Sequence, residues 1–309
     1  MVYVFRNLSS KNVKSDIIYV QNYLLRIKNM IFNLIPTTLR MATPLGFAAL
    51  GGIYSERAGV INLALEGMML IGAFGYVIGT QVTGSVWFGL LLGIGFGVGL
   101  ALLHAVATVT FHAEQVVTGI GINILALGIT EYLLPTSKQV GGLPHWQLPF
   151  IGSYSFIVYL LPVLMVLSHV LLFKTPWGLR LRAAGESTEA LEALSLSRTK
   201  WQYIGILLSG LLAGVGGCFL ASEVHYFTKG MTAGRGYLAL AAVIFGNWRP
   251  LSGVSACFLF GFATALELAN RWNIPGQLLN SLPYILTMVV LIGFVGTSRP
   301  PASLGKMKS

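Results

Sequence analysis

From Gly67 to Ala113 the chain contains no Asp, Glu, Lys or Arg. The same holds for 139–173, 201–222 and 272–298. A soluble domain is about one-quarter charged, and a helix needs about 20 apolar residues to cross a bilayer. Each run therefore accommodates a crossing, and Gly67–Ala113 accommodates two, with Thr83-Gly84-Ser85 as the turn between them. A mean hydropathy of +0.74 agrees. These runs exclude a soluble enzyme, a disordered chain and a disulfide-rich secreted module. The net charge of +10, from 20 basic and 10 acidic residues, would suit nucleic acid, but the uncharged runs are too long for that. A membrane accounts for both facts. Cys218 and Cys257 both lie in apolar stretches and form no cysteine framework.

The pattern predicts an all-α polytopic membrane protein. The spans are 17–35, 36–54, 60–82, 86–110, 115–134, 154–173, 201–222, 231–246, 250–270 and 281–297. Met1 to Met30 is basic and amphipathic, without the apolar core of a cleavable signal. Span 17–35 carries Arg26 and Lys28; an interfacial amphipathic helix is the other reading of it. Span 231–246 is short and opens with Gly230, Gly234 and Gly236, as a broken or re-entrant helix does.

Lys and Arg in short loops set orientation. Residues 174–200 hold Lys174, Arg180, Arg182, Arg198 and Lys200, the N-terminus Arg6, Lys11 and Lys14, and the tail Arg299, Lys306 and Lys308. All three are expected inside. Counting 17–35 as a crossing makes the parity consistent and places Arg57 and Arg249 inside as well. The chain then divides into a basic segment with the first span (1–35), a first transmembrane half (36–173), a cytoplasmic loop (174–200), a second half (201–298) and a cytoplasmic tail (299–309).

Ala48-Ala49-Leu50-Gly51-Gly52 echoes Ala213-Gly214-Val215-Gly216-Gly217, and Glu66-Gly67 echoes Arg235-Gly236. In the ten-span arrangement the copies run in opposite directions, a loose inverted repeat of the kind from which transporters are built. Gly89, Gly93 and Gly97 form one helical stripe, and Gly210 and Gly214 repeat its spacing. Close helix packing explains such stripes more simply than a moving seam.

A charge at mid-bilayer costs about 2.5–3.5 kcal/mol on insertion scales, so it should face a cavity, a partner or a polar path. Asn62, Glu66, Asn123 and Arg235 are the candidates for lining a hydrophilic pathway, with Glu66 and Arg235 as a possible pair. The other reading is that they brace kinked helices by bonding the backbone. Glu131 and Glu267 lie nearer span ends and are expected to snorkel. The six Trp residues mostly fall at span ends, as an interfacial belt would.

No catalytic or metal constellation emerges. There is no phosphate loop of the Gly-x4-Gly-Lys-Ser/Thr form. His112-Ala113-Glu114 lacks the paired Cys of a zinc deaminase, and the five His show no ligand spacing. No cofactor and no metal are expected. In the 174–200 loop, Ser187 or Thr188 can cap a short helix whose apolar face is Ala190, Leu191 and Leu194. That face either docks a soluble partner or packs on its own chain.

The stretch from Ser55 to Phe74, SERAGVINLALEGMMLIGAF, resembles the signature of ABC importer permeases for nucleosides and simple sugars, within the branched-chain amino acid and ribose permease superfamily. Gln115–Gly119, Gly178–Glu186, Gly230–Tyr237, Ala241–Gly246 and Pro301–Lys306 match further motifs, and the resemblance runs from about Leu24 to Lys306. It implies a type II importer fold like that of the vitamin B12 importer, with about ten helices. It also implies a multi-pass location in the bacterial plasma membrane and no enzymatic activity in this chain. The implied partners are cytosolic ATP-binding-cassette ATPase chains, a second permease (a sister chain or a second copy) and an extracytoplasmic substrate-binding lipoprotein. Gly185–Ser197 would be the coupling helix, with Gly185, Glu186, Ala190, Leu191, Leu194 and Ser195 meeting the ATPase. Ser195-Leu196 departs from the family pattern, which has Gly before the aliphatic residue. The function implied is uptake of nucleosides, with simple sugars or another small polar solute as the near alternative. A lone ion-coupled transporter and a membrane-embedded enzyme are the rivals of other classes. The first leaves the docking loop without a purpose, and the second lacks a nucleophile and base.

Overall fold

The computed structural model describes residues 13–134, 140–141, 147–193, 195–269 and 299–306, with isolated positions between 281 and 292. In chain order the helices are α1 (Val13–Arg57), α2 (Leu65–Thr83), α3 (Val86–Ala105), α4 (Gln115–Leu133), α5 (Phe156–Lys174), α6 (Pro176–Glu186), α7 (Thr188–Ala193), α8 (Arg198–Val224), α9 (Arg235–Phe245) and α10 (Pro250–Ala269). A π-helical turn, Val106–Thr110, ends α3. Four short strands, β1 (Val140–Gly141), β2 (Phe150–Ile151), β3 (Tyr154–Ser155) and β4 (Tyr226–Phe227), pair β1 with β4 and β2 with β3, both antiparallel.

Local chemistry fixes the helix ends. Ser85 caps α3 by accepting from Phe88 N, and Glu114 caps α4 by accepting from Val116 N and Val117 N. Thr175 caps α6, which has Pro176 in its first turn, and Ser197 caps α8. Gly84 ends α2 at φ 69°, a left-handed position that favours glycine.

Among the described residues six helices are long and apolar enough to cross a membrane: α2, α3 with its π turn, α4, α5, α8 and α10. Each overlaps an expected span. Helix α9 has 11 residues, about 16 Å or half a bilayer core, as its glycine-rich approach suggested. The expected span 281–297 lies outside the described residues except at Ser281, Ile285, Met288, Val289 and Ile292.

The start of the chain differs from expectation. Spans 17–35 and 36–54 were to be opposite crossings, but one helix of 45 residues runs through both. There is no reversal at Ile35-Pro36, so the parity that put the N-terminus on the side of loop 174–200 is lost. Pro36 and Pro44 lie inside α1 without breaking it. The hydroxyls of Thr38 and Thr43 bond back to the carbonyls of Leu34 and Leu39 one turn before them. At about 1.5 Å per residue the helix is roughly 67 Å long, far more than one crossing needs.

Helices α2 and α8 form the centre, with 78% of their apolar stretches buried, against 28% for α3, α4 and α5. The outer helices expose Leu91, Ile124 and Val163, surface that lipid or another membrane chain must cover. The glycine stripe makes the centre tight. A methyl on Gly93 would lie 2.5 Å from Gly72 O of α2, and one on Gly97 2.6 Å from Gly210 O of α8. Backbones of three helices touch at this seam, as close packing in lipid requires.

The echoing segments lie on antiparallel neighbours. The Arg57 end of α1 and the Arg198 end of α8 share one pole, and Gly51 and Gly216 pack against Ser209 and Pro44 across the pair. At the other pole β1 joins β4, and Arg40 pairs with Glu223 at 3.6 Å.

Candidate functional site

Between α1 and α2 the signature stretch leaves the helix, and its backbone polar groups must be satisfied from elsewhere. Three other helices do so. Gln115 on α4 accepts from Ile61 N at 2.7 Å, and His104 on α3 lies 3.2 Å from Ile61 O. Asn62 Nδ2 donates to Ser209 Oγ on α8 at 2.7 Å, while its Oδ1 accepts from Ala64 N. Asn62 is 0% exposed, so this expected pathway residue lines no path here. It braces the start of α2, and the alternative reading of the sequence applies to it.

Glu66 points across to the start of α9. Its Oε1 accepts from Gly234 N at 2.8 Å and its Oε2 from Gly236 N at 2.6 Å. A carboxylate there meets two orphan N–H donors and the positive end of the helix dipole. Gly236 permits the approach, since a methyl on it would lie 2.6 Å from Glu66 Cα. Asn123 on α4 completes the junction. Its Oδ1 accepts from Gly67 N at 2.7 Å, and its Nδ2 donates to Leu63 O and Tyr237 Oη, each at 2.9 Å. The N-termini of α2 and α9 thus meet, tied by Glu66 and Asn123, with Tyr237 44% exposed beside them.

The sequence offered Glu66 and Arg235 as a pair, but Glu66 bonds backbone instead. Arg235 Nη1 donates to Met231 O and Thr232 O, both at 3.1 Å, closing the turns before α9. Glu267 on α10 feels the Arg235 charge. So Glu66, Asn123 and Arg235 gather at one junction, and Asn62 lies buried behind it.

A second cluster forms at the basic pole. Arg57 Nε and Nη2 donate to Trp248 O and Asn247 O at 2.9 and 3.2 Å, and Nη1 lies 3.5 Å from Glu186 Oε1. The guanidinium groups of Arg57 and Arg182 both stack on Phe173. Trp248 Nε1 donates to Glu56, and Trp248 and Trp201 are buried. Those two belong to the interior and not to an interfacial belt; Trp87 is exposed, and Trp146 and Trp272 lie outside the described residues. The tail folds onto the same place. Ser303 N donates to Gly185 O at 2.8 Å, Ala302 N to Glu186 Oε2 at 3.2 Å, and Arg299 N to Asn247 Oδ1 at 2.9 Å. Loop 174–200, Arg57, Arg249 and the tail therefore share one pole, where the charge pattern put them. Residue-by-residue reading of the sequence missed Glu56, Arg57, Gln115, Ser209, Tyr237 and Trp248 as participants. The signal for the first two was the Ser55–Phe74 motif itself.

Gly185 and Glu186 end α6 and do not open a coupling helix as expected. Helix α7 follows with 6 residues. Leu191, assigned to an outward docking face, is 0% exposed, because the short helix turns it into the core. The side chains of Ala190 and Leu194 lie outside the described residues. Glu189, Ala193 and Ser195 are exposed there.

Ser195 explains its departure from the glycine pattern. Its φ is +55°, with Leu196 N bonded to Leu191 O at 3.0 Å, so a side chain occupies a left-handed C-cap. The left-handed region costs about 1–2 kcal/mol for a residue with a Cβ, and glycine gives back about 0.5–1 kcal/mol as unfolded-state entropy. Ser195→Gly is expected to raise the thermal unfolding midpoint slightly, by roughly 0.5–1 kcal/mol of stability. A lowered midpoint in a scanning measurement would contradict this.

The chain matches the model of the family described as branched-chain amino acid transport system / permease component, over residues 34–295. It is 36% identical over 302 residues to the guanosine ABC transporter permease NupQ of Bacillus subtilis, covering 88% of this chain and 95% of that one. It is 34% identical to the nucleoside ABC transporter permease NupC of Lactococcus lactis, covering 91% and 98%. It is 31% identical to the putative glucose ABC transporter permease TsgC13 of Haloferax volcanii, covering 84% and 90%. No solved structure matches it significantly.

Proposed function

We propose that this chain, which belongs to the branched-chain amino acid transport permease family, carries nucleosides into the cytoplasm. It is a permease subunit of an ABC importer, a multi-pass protein of the plasma membrane, and not itself an enzyme. An ATPase and a substrate-binding protein belong to such a system. The nucleoside cargo rests on one observation, the 36% identity to a guanosine permease along 88% of the chain. A simple sugar is the second reading, favoured by the 31% identity to a putative glucose permease.

In this reading two permease chains, either sister chains or two copies, enclose the path, and the α2–α9 junction borders it. The inverted relation of α1–α2 to α8–α9 brings the start of the short helix α9 against the start of α2, and transporter sites use helix ends in this way. Asn123, Tyr237 and Arg235, with the Glu66-capped start of α9, supply hydrogen-bond donors and acceptors together, which suits a hydroxyl-bearing solute. The basic pole is the ATPase face. Movement of α6 and α7 there reaches Arg57 and the 57–64 stretch, and through it Glu66 and α9. A ligand shifts such an equilibrium only by binding the states unequally, so ATP must favour one position of this pole.

The test is uptake by the assembled importer in proteoliposomes with external binding protein and internal ATP. Labelled guanosine is expected to enter and unlabelled nucleosides to compete. Competition by glucose, with none by nucleosides, would move the assignment to sugars.

A further inference from the structure

We infer that the basic pole holds a binding site for a phosphate group, separate from the transport path. A cavity of about 220 Å³ opens there, lined by His112, Gln115, Ser197, Arg198, Thr199 and Lys306, with Val60, Thr108 and Gln202 among the rest of its wall. A water takes about 30 Å³ of liquid volume, so the space holds roughly seven waters, or a phosphate group and the first atoms attached to it.

The lining has the chemistry of an anion cradle, with no acid among the described residues. Arg198 and Lys306 bring two cationic side chains, and Arg198 Nη2 donates to the Lys306 backbone carbonyl at 3.3 Å. His112 adds a ring nitrogen, at a backbone φ of +54° that turns it out of the π turn. Ser197 and Thr199 add hydroxyls at the first turn of α8, whose 27 residues direct the positive end of their dipole into the cavity. The nearest carboxylate along the chain, Glu114, is occupied by Val116 N and Val117 N of α4. A phosphate monoester brings up to two negative charges and three acceptor oxygens, which this set matches better than a single carboxylate.

The position gives the site a consequence. Its walls come from the tail (Lys306), the end of loop 174–200 (Leu196, Ser197) and the segment between α3 and α4 (His112), all joined at the pole where Gly185, Glu186 and Arg57 meet. An occupied cavity would tie the tail to the start of α8 and stiffen that pole. The phosphate can be part of an anionic lipid headgroup or a free phosphate in the cytosol.

The experiment uses the importer assembled with its ATPase in nanodiscs and follows acylation of Lys306 by mass spectrometry. In phosphatidylcholine discs, inorganic phosphate is expected to slow acylation of Lys306 saturably, with chloride as control. In discs containing phosphatidylglycerol but no free phosphate, the same protection would assign the site to lipid headgroups; either arm supports the proposal. Calorimetric affinity for phosphate should fall about tenfold in Lys306→Gln and in His112→Gln, with assembly on the ATPase intact by gel filtration. The inference is overturned if neither phosphate nor phosphatidylglycerol protects Lys306, or if affinity is unchanged in both variants. It is also overturned if Lys306 of the assembled importer already resists acylation in phosphatidylcholine discs without phosphate and gains nothing from either addition, which would put a partner's acidic side chain in the cavity.

Discussion

Glu66→Ala is expected to lower uptake by about two orders of magnitude while the permease still assembles with its ATPase. The carboxylate makes two charge-assisted bonds, to Gly234 N at 2.8 Å and Gly236 N at 2.6 Å. Hydrogen bonds to a charged group are worth about 1.5–3 kcal/mol each, and about 1.4 kcal/mol is tenfold. Alanine leaves both N–H groups unpaired at a half-buried helix start, and they lose the negative charge that answers the dipole. Among the described hydrogen bonds α9 then reaches α2 only through Asn123 of α4, which bonds Tyr237 Oη and Gly67 N. Glu66→Gln separates charge from shape. It keeps one acceptor, presents an NH2 to the other donor, and should fall between wild type and alanine. Arg235→Ala should cost less, since it removes side-chain bonds to Met231 O and Thr232 O but leaves the cap. Initial rates of labelled nucleoside uptake measure all three. Normal uptake by Glu66→Ala would remove the α2–α9 junction from the transport mechanism.

The reason Glu66 could be flagged but not understood from its sequence applies across the chain. An acid in an apolar run has to be answered by something, and Arg235 was the visible cation. The real partners are backbone N–H groups, which every residue but proline carries and no sequence pattern marks. Gly234 and Gly236 hinted at them only as helix breakers. Asn62 was misread for a similar reason. A polar residue in a membrane suggests a path, yet the Asn62 amide is bonded to Ser209, Met68 and Ala64 N in the core. The spans α2 to α5, α8 and α10 were legible because lipid demands long uncharged runs, a one-dimensional signal. Helix α1 was not, because proline normally ends a helix, yet Pro36 and Pro44 both lie inside it. Leu191 shows the limit of amphipathic reasoning. Six residues of α7 have an apolar side, but whether it faces a partner or its own chain depends on packing with elements far away in sequence. The charge pattern did locate the basic pole, since orientation depends on where Lys and Arg lie and not on what they touch.

Gly185→Ala is expected to separate ATP hydrolysis from transport. A methyl on Gly185 would press on Arg57 O and lie 2.8 Å from Gly59 N. Both neighbours are backbone, so no flexible side chain can swing aside. Gly59, at φ +90°, cannot readily move to another conformation that keeps the turn. The end of α6 must therefore lift away from the 57–59 turn, taking with it the Ser303 N bond to Gly185 O and the Glu186 contacts to Arg57 and Ala302. Arg57 in turn holds the turn between α9 and α10 through Trp248 O and Asn247 O, where both residues have positive φ. A small displacement at Gly185 thus reaches α9 from its basic end, while Glu66 holds the other. Mutations inside such networks change coupling by about 0.5–2 kcal/mol, so nucleoside imported per ATP should fall roughly two- to thirtyfold, with ATP hydrolysis persisting. Ser195→Gly, at the same pole but without contact to the 57–59 turn, should leave that ratio unchanged. Equal losses of hydrolysis and uptake in Gly185→Ala would instead mean that the ATPase no longer docks. Uptake and hydrolysis both at wild-type rates would show that the Gly59–Gly185 contact transmits nothing.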